Sequence, residues 1–273
     1  MLGYIISGKN EINVENYEIK SFDILHKTDL NIFVIENNKV MYKNNIINRS
    51  SQYGHIQVLK WFINSGYEFT YCTHAINLAS SYGHIQVLEW FKNSGYEFKY
   101  TEDAIKWASG KGHIQVLEWF KNSGYEFKYD RHAISSASTD GQIQVLEWFK
   151  NSGYEFKYSE SAIINASMHN NIKVLEWFKN SGYEFKYNEY VFNWASKRGC
   201  VQVLEWFKNV KYKFKYNKFA IGSAFYYKCI QVLEFYSKNI NIKKLIKWSD
   251  KNIFTKTIKF KTHNKYLKGY QKN

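Results

Sequence analysis

The side chains best suited to chemistry recur at a fixed interval. His55, His84 and His113 are evenly spaced, and histidine is a residue type that ligates metals and carries protons. The same slot then holds Gln142, Asn171, Cys200 and Cys229. A zinc ion needs its ligands about 2 Å from one centre. Copies of a helical repeat stack about 8–10 Å apart, so one residue per repeat cannot share an ion. The row therefore reads as structural, and no metal or other cofactor is expected. Glu118 and its equivalents form a second row, but they alternate with Lys121-type residues and read as a solvated face. Acid–base catalysis needs a local, irregular cluster of carboxylates. No phosphate-cradling GxxxxGK[ST] or GxGxxG, no HExxH and no GxSxG occurs. Catalysis is not expected, and no residue is assigned a catalytic role.

The interval itself defines the elements. GHIQVL begins at Gly54, Gly83 and Gly112 and returns as GQIQVL at Gly141, NNIKVL at Asn170, GCVQVL at Gly199 and KCIQVL at Lys228. Seven copies in an unbroken 29-residue register make this a repeat protein. In the unit covering residues 101–129, Thr101 stands at a helix N-cap, as do Asp130, Ser159, Asn188 and Asn217 in later copies. Each side-chain oxygen can accept from an exposed backbone N–H, contributing ~1 kcal/mol. Cys72 breaks the series, with Thr73 beside it as a substitute.

A first helix is predicted over residues 102–109, with Ala104, Ile105 and Ala108 on one face. Gly112 supplies the turn. A second helix is predicted over Ile114–Asn122 and ends at Gly124, followed by Tyr-Glu-Phe-Lys-Tyr, whose period of two predicts an extended connector. Helices this short are unstable alone. Stacked neighbours would bury a Phe row at 62, 91, 120, 149, 178 and 207, with the Trp row one residue earlier at its margin.

The boundaries follow. Residues 1–42 are an N-terminal segment in which 13–42 form a degenerate capping repeat. Leu30, Ile32, Phe33, Val40 and Tyr42 there keep phase with Leu59, Trp61, Phe62, Phe69 and Tyr71. Residues 43–240 hold the seven repeats, and 241–273 a degenerate cap and basic tail.

Ala-Ile-x-x-Ala-Ser, two variable residues, Gly-His-Ile-x-Val-Leu and a Gly-terminated helix resemble the ankyrin repeat over about residues 42–240. The resemblance implies an all-α, ankyrin-like α-solenoid of stacked helix-turn-helix repeats with short connectors, and a non-enzymatic scaffold that binds a protein. Two departures stand out. The Thr-Pro-Leu-His start is missing, and the unit falls short of the ~33 residues usual in the family. The shortening falls in the connector that forms the family's projecting fingers, so binding through fingers is in doubt. The short form with Asn-Ser-Gly-Tyr resembles the ankyrin-repeat proteins of giant DNA viruses of amoebae, in keeping with a composition rich in Asn, Lys, Ile, Tyr and Phe. That likeness implies host or viral proteins as partners.

Charge gives the second functional reading. The chain carries a formal +14, and residues 238–273 hold eleven Lys against one acid, leaving +4 for the rest. The tail could associate with nucleic acid or an acidic membrane surface. Three cysteines without CxxC spacing suit a reducing compartment. The N-terminal residues do not read as a signal peptide, and no apolar run approaches the ~20 residues of a membrane helix. An intracellular, cytoplasmic monomer is expected.

The copies vary unevenly. Residues 86–100, 115–129 and 144–158 are identical, whereas the first helices differ: HAINLASSYG, DAIKWASGKG, HAISSASTDG, SAIINASMHN, YVFNWASKRG. Either those helices are under relaxed constraint or they form a selected binding face. On the second view the candidate residues are Lys106, Trp107, Lys111, Asn165, Trp194, Lys197, Arg198, Tyr226 and Tyr227. The Trp slot at 107 and 194 holds Ser136 and Asn165 between them. Each Trp is an interface anchor or packs on the next helix.

Overall fold

In the computed structural model, described residues are 46–64, 69–210, 212–213 and 217–240, apart from the side chains of Trp61 and Phe62; for 5–7, 10–12, 33–36 and 39–42 the backbone alone is described. The C-terminal cap, the basic tail and most of the N-terminal capping repeat lie outside these. Two compact units, residues 1–133 and 134–273, are distinguished and taken in turn.

The first unit opens with two antiparallel hairpins. Strand β1 (Ile5–Ser7) pairs with β2 (Asn10–Ile12), and β3 (Phe33–Glu36) with β4 (Lys39–Tyr42), placing Phe33 opposite Tyr42. Phe33 keeps phase with Phe62 of a second helix, yet here the chain is strand. Phe-Val-Ile favours extended backbone. Helix pairs follow: α1 (Ile46–Gln52) with α2 (Ile56–Asn64), α3 (Thr73–Ser81) with α4 (Ile85–Asn93), and α5 (Glu102–Lys111) with α6 (Ile114–Asn122). First helices pack on first helices, α1 on α3 and α3 on α5, and second on second.

The helix α7 (Arg131–Thr139) is followed in the second unit by α8 (Ile143–Asn151). The pairs α9 (Glu160–Met168) with α10 (Ile172–Asn180), α11 (Tyr190–Arg198) with α12 (Val201–Asn209), and α13 (Lys218–Tyr226) with α14 (Ile230–Asn239) complete it. Seven helix pairs are thus present among the described residues, in the 29-residue register.

The caps explain why each helix starts and stops where it does. Thr101 Oγ1 accepts from Asp103 N–H, Ser159 Oγ from Ser161 N–H, and Asn217 Oδ1 from both Phe219 and Ala220. Cys72 occupies the same position with no side-chain capping bond. At the other end, Gly112 takes φ 76°, and the next N–H, of His113, reaches back to Ala108 O at 2.9 Å. This closes the orphan carbonyls as a Schellman turn does. The same bond recurs from His84, Gln142, Asn171, Cys200 and Cys229.

The core is built from Val87, Leu88 and Phe91 and their described equivalents on the second helices, and from Ala75, Ile76 and Ala79 and theirs on the first helices, all buried. Phe91, Phe120, Phe149, Phe178 and Phe207 are fully buried; Trp90, Trp119 and Trp148 are half-buried at the margin, as expected, but Trp177 and Trp206 are buried. The small Ala residues let first helices approach closely.

The connectors contain no strand among the described residues. Lys128 N–H donates to Glu126 O at 3.1 Å, and Lys157 and Lys186 repeat the contact. Tight turns centred on Phe replace the expected extended run, and they still bring Phe127 and Tyr129 together at 5.3 Å.

Candidate binding face

Three ladders run from repeat to repeat. In the first, the slot after the turn glycine donates to a carbonyl of the preceding first helix. His84 Nε2 meets Gln52 O at 2.9 Å, Asn171 Nδ2 meets Thr139 O at 2.7 Å, and Cys200 and Cys229 aim Sγ at Met168 O and Lys197 O. Imidazole, amide and thiol all supply a donor here, which is why His, Asn and Cys interchange. Burial holds the His55 and His113 imidazoles below the usual histidine range and pushes the Cys200 and Cys229 thiols up. The row is a structural clasp. No group of three or more His, Cys, Asp or Glu among the described residues could hold a metal ion.

In the second ladder, Trp119, Trp177 and Trp206 donate their indole N–H to Glu89, Glu147 and Glu176 of the preceding repeat. The Glu row expected as a merely solvated face is thus part of the stack. In the third, Tyr71, Tyr100, Tyr158 and Tyr187 donate from one connector to a carbonyl of the next. Burial, first, and then the neighbouring Glu126 push Tyr100 up to about 12. Phe98 stacks on Tyr125 at 4.3 Å, as Phe156 does on Tyr183. These contacts occupy the second helices and connectors and leave the first helices to face outward.

In the first unit, Lys106 Nζ bonds Asp103 Oδ1 at 2.9 Å and lies 5.9 Å from the Trp107 ring, which is half-buried. Lys111 is the exposed last residue of α5. In the second unit, Asn165 is half-buried and its backbone carbonyl accepts from His169 N–H.

The remaining candidates converge around α11 and α13. Lys197 Nζ sits 4.5 Å from the Trp194 ring centroid and 5.1 Å from that of Tyr227. Tyr226 and Tyr227 meet edge to face at 5.0 Å and are 71% and 48% exposed. Arg198 is exposed at the end of α11. An open cleft of about 450 Å³ is lined by Tyr190, Asn193, Trp194, Lys197, Phe219 and Ser223, among others. A second, of about 380 Å³, shares Phe219 and Ser223 and extends to Tyr226 and Tyr227.

Tyr190 and Phe219, 55% and 63% exposed, are central here yet were not among the sequence candidates. A signal existed. Their slot reads His74, Asp103, His132, Ser161, Tyr190, Phe219, so polar residues give way to aromatics in the last two copies.

Paired short helices with left-handed turns, held in a 29-residue register and stacked first on first and second on second, define an α-solenoid repeat fold. It is the ankyrin-repeat fold: the structure is similar to the crystal structure of the human ASB11 ankyrin repeat domain, with a TM-score of 0.51 and 12% identity. The match covers 66% of this chain and 92% of that one. No family model matches the sequence, and no curated protein is similar to it.

Proposed function

We propose that the chain is a non-enzymatic protein-binding module that engages its partner through the first-helix face of α11 and α13. The observation that carries this reading is the exposure of Tyr190, Phe219, Tyr226 and Tyr227 on neighbouring first helices. Tyr53, Tyr82 and Tyr96 are exposed singly elsewhere, whereas these four gather around two neighbouring first helices and form an apolar patch of the kind that marks interaction sites. Aromatic anchors dominate interface energies. Trp194 and Lys197 belong to the same face, and Trp107 with Lys106 and Lys111 forms a lesser one in the first unit. The fold supports the reading, since ankyrin repeats generally serve as protein-binding modules. The partner belongs to the cytoplasm of a host cell, as the likeness to the short viral repeats implies. No helix of the described residues is long and apolar enough to cross a membrane.

The test is affinity capture with F219S/Y226S beside the native chain. Both side chains are exposed, so thermal unfolding should stay within about 0.5 kcal/mol of native stability. Loss of a captured protein at unchanged stability is the expected result. A set of captured proteins identical for the two chains would refute the assignment of this face.

A further inference from the structure

The first helices α11 and α13 differ from α5 and α9 in charge as well as in exposure: they carry Lys197, Arg198 and Lys218 and no acid, whereas α5 sets Glu102 and Asp103 against Lys106 and Lys111 and α9 carries Glu160 alone. In the first unit Lys106 is neutralised by Asp103 at 2.9 Å. Around the α11–α13 face, Lys197, Arg198, Lys218 and Lys228 have no carboxylate within 4 Å among the described residues. One acid, Glu189, lines the same cleft. Lys197 and Arg198 also fall in the last turn of α11, where cations offset the negative end of the helix dipole. That dipole holds them in place only in part, leaving an excess of positive charge beside an apolar cleft.

The rings are arranged around these cations. The Lys197 ammonium lies over both Trp194 and Tyr227, and Lys218 Nζ lies 5.3 Å from the Phe219 ring. An ammonium held against ring faces has shed part of its water and is ready to receive an anion on its open side. Between the rings, Asn193, Asn217 and Ser223 supply short polar side chains suited to a peptide backbone. Asn193 Oδ1 is buried with no hydrogen-bond partner, although the equivalent Asn77 accepts from the backbone N–H of Thr101 at 3.2 Å.

We infer that this face takes an acidic segment of a partner protein, with a large apolar side chain seated beside Phe219 and carboxylates on Lys197, Arg198 and Lys218. The inference rests on the reading of the face as a protein-binding surface and adds the chemistry of what it binds. Charge complementarity selects an acidic partner over a neutral or basic one. Single-stranded nucleic acid would also bring negative charge, but it binds by stacking bases on free aromatic faces. Here cations already cover faces of Trp194, Tyr227 and Phe219, and Tyr226 meets Tyr227 edge-on.

The experiment measures fluorescence anisotropy of three labelled probes with the full chain: a random Glu-Tyr copolymer, poly-Glu and oligo-dT. K197E/R198E should weaken copolymer binding about tenfold or more, as loss of a central charged pair does. K265E/K268E removes the same charge from the basic tail and should change copolymer binding less than about twofold. F219S should weaken the copolymer and leave poly-Glu unchanged, which separates the apolar seat from charge alone. Oligo-dT binding should be indifferent to the groove variants. Equal loss in the groove and tail variants would overturn the inference, as would oligo-dT binding that falls with K197E/R198E and F219S. If the copolymer ignores the groove variants while F219S/Y226S still abolishes capture of a protein, the acidic occupant is wrong and the binding face stands.

Discussion

The turn glycine and the residue that follows one repeat later behave as a matched pair. A Cβ built on Gly83 would lie 2.9 Å from His113 Nδ1, and one on Gly54 would lie 2.8 Å from His84 Nδ1. On Gly141 it would stand 3.2 Å from Asn171 Oδ1, and on Gly199 an ordinary 3.6 Å from Cys229 Sγ. Asn170 occupies a glycine slot at φ 58°, and the residue one repeat on is the smaller Cys200. Bulk at one site is thus met by a smaller neighbour. The left-handed backbone costs an L-residue about 1–2 kcal/mol. Gly199→Ala should therefore lose about 1–2 kcal/mol from that source alone. Gly83→Ala adds an overpacking term of about 1–3 kcal/mol, because the imidazole is clasped to a carbonyl and cannot swing freely. Chemical denaturation of the two variants decides the matter. Equal losses would show that the histidine yields and that the pairing has no energetic weight.

At the scale of elements, each kind of contact between repeats departs from the repeat register by its own constant offset. Tyr100 reaches a residue 26 ahead, Trp177 a residue 30 back, and Asn171 a residue 32 back. The Trp–Glu ladder can be weighed by a double-mutant cycle on Glu147 and Trp177. A hydrogen bond to a carboxylate at a partly wet site is expected to give a coupling of about 1 kcal/mol. Coupling near zero in W177F, E147A and the double variant would make it a surface contact without consequence. The second-helix bounds at Ile114–Asn122, the N-caps at Thr101, Ser159 and Asn217 and the buried Phe row from Phe91 to Phe207 were legible in the sequence, because each depends on neighbours within one turn or on the repeat phase; at α11 the N-cap position falls on Glu189 rather than the expected Asn188. The Glu partners of the Trp row were not legible. Glu118 and its equivalents sit among lysines, and only stacking geometry brings an indole to Glu89, Glu147 and Glu176. The connector was misread for a related reason: period two marks which rings share a side, and a tight turn satisfies it as well as a strand. The cleft was half legible. Trp194, Lys197, Tyr226 and Tyr227 were visible as variable residues on first helices, but Tyr190 and Phe219 required comparison of their slot across copies.

Across the whole chain, the uneven divergence of the copies has a physical counterpart. Second helices and connectors both give and receive where these contacts are seen: Glu89 accepts from Trp119, Phe98 stacks on Tyr125, and Tyr100 donates to the Glu126 carbonyl. A change in one copy would need a matching change in the next, which keeps those halves alike. First helices meet largely through Ala, Ile and backbone, with side-chain contacts such as Asn77–Thr101 and Lys197–Tyr227 at particular positions, so most of their outward positions can change one at a time. That freedom is what lets one stretch of a uniform stack acquire Tyr190, Phe219, Tyr226 and Tyr227.

The same accounting of the whole chain separates the body from the basic tail. Residues 238–273 hold eleven lysines and one acid, whereas the rest of the chain carries a net +4. Lysines in the body are interleaved with Glu rows, and a duplex approaching the stack meets both signs. Duplex DNA, which has no side chain to seat in the α11–α13 cleft, should therefore find the tail. Binding of duplex DNA by the full chain should fall with salt at a log–log slope of about −0.9 for each phosphate neutralised, with little dependence on sequence. A chain ending at residue 240 should lose most of the affinity and most of the slope. It should also keep any protein capture that depends on Phe219, since that face is built from α11 and α13. Filter-binding titrations at several salt concentrations measure both quantities at once. If the shortened chain binds duplex DNA as well as the full one, the tail is not the contact. The cations beside the α11–α13 cleft would then be the next positions to reverse.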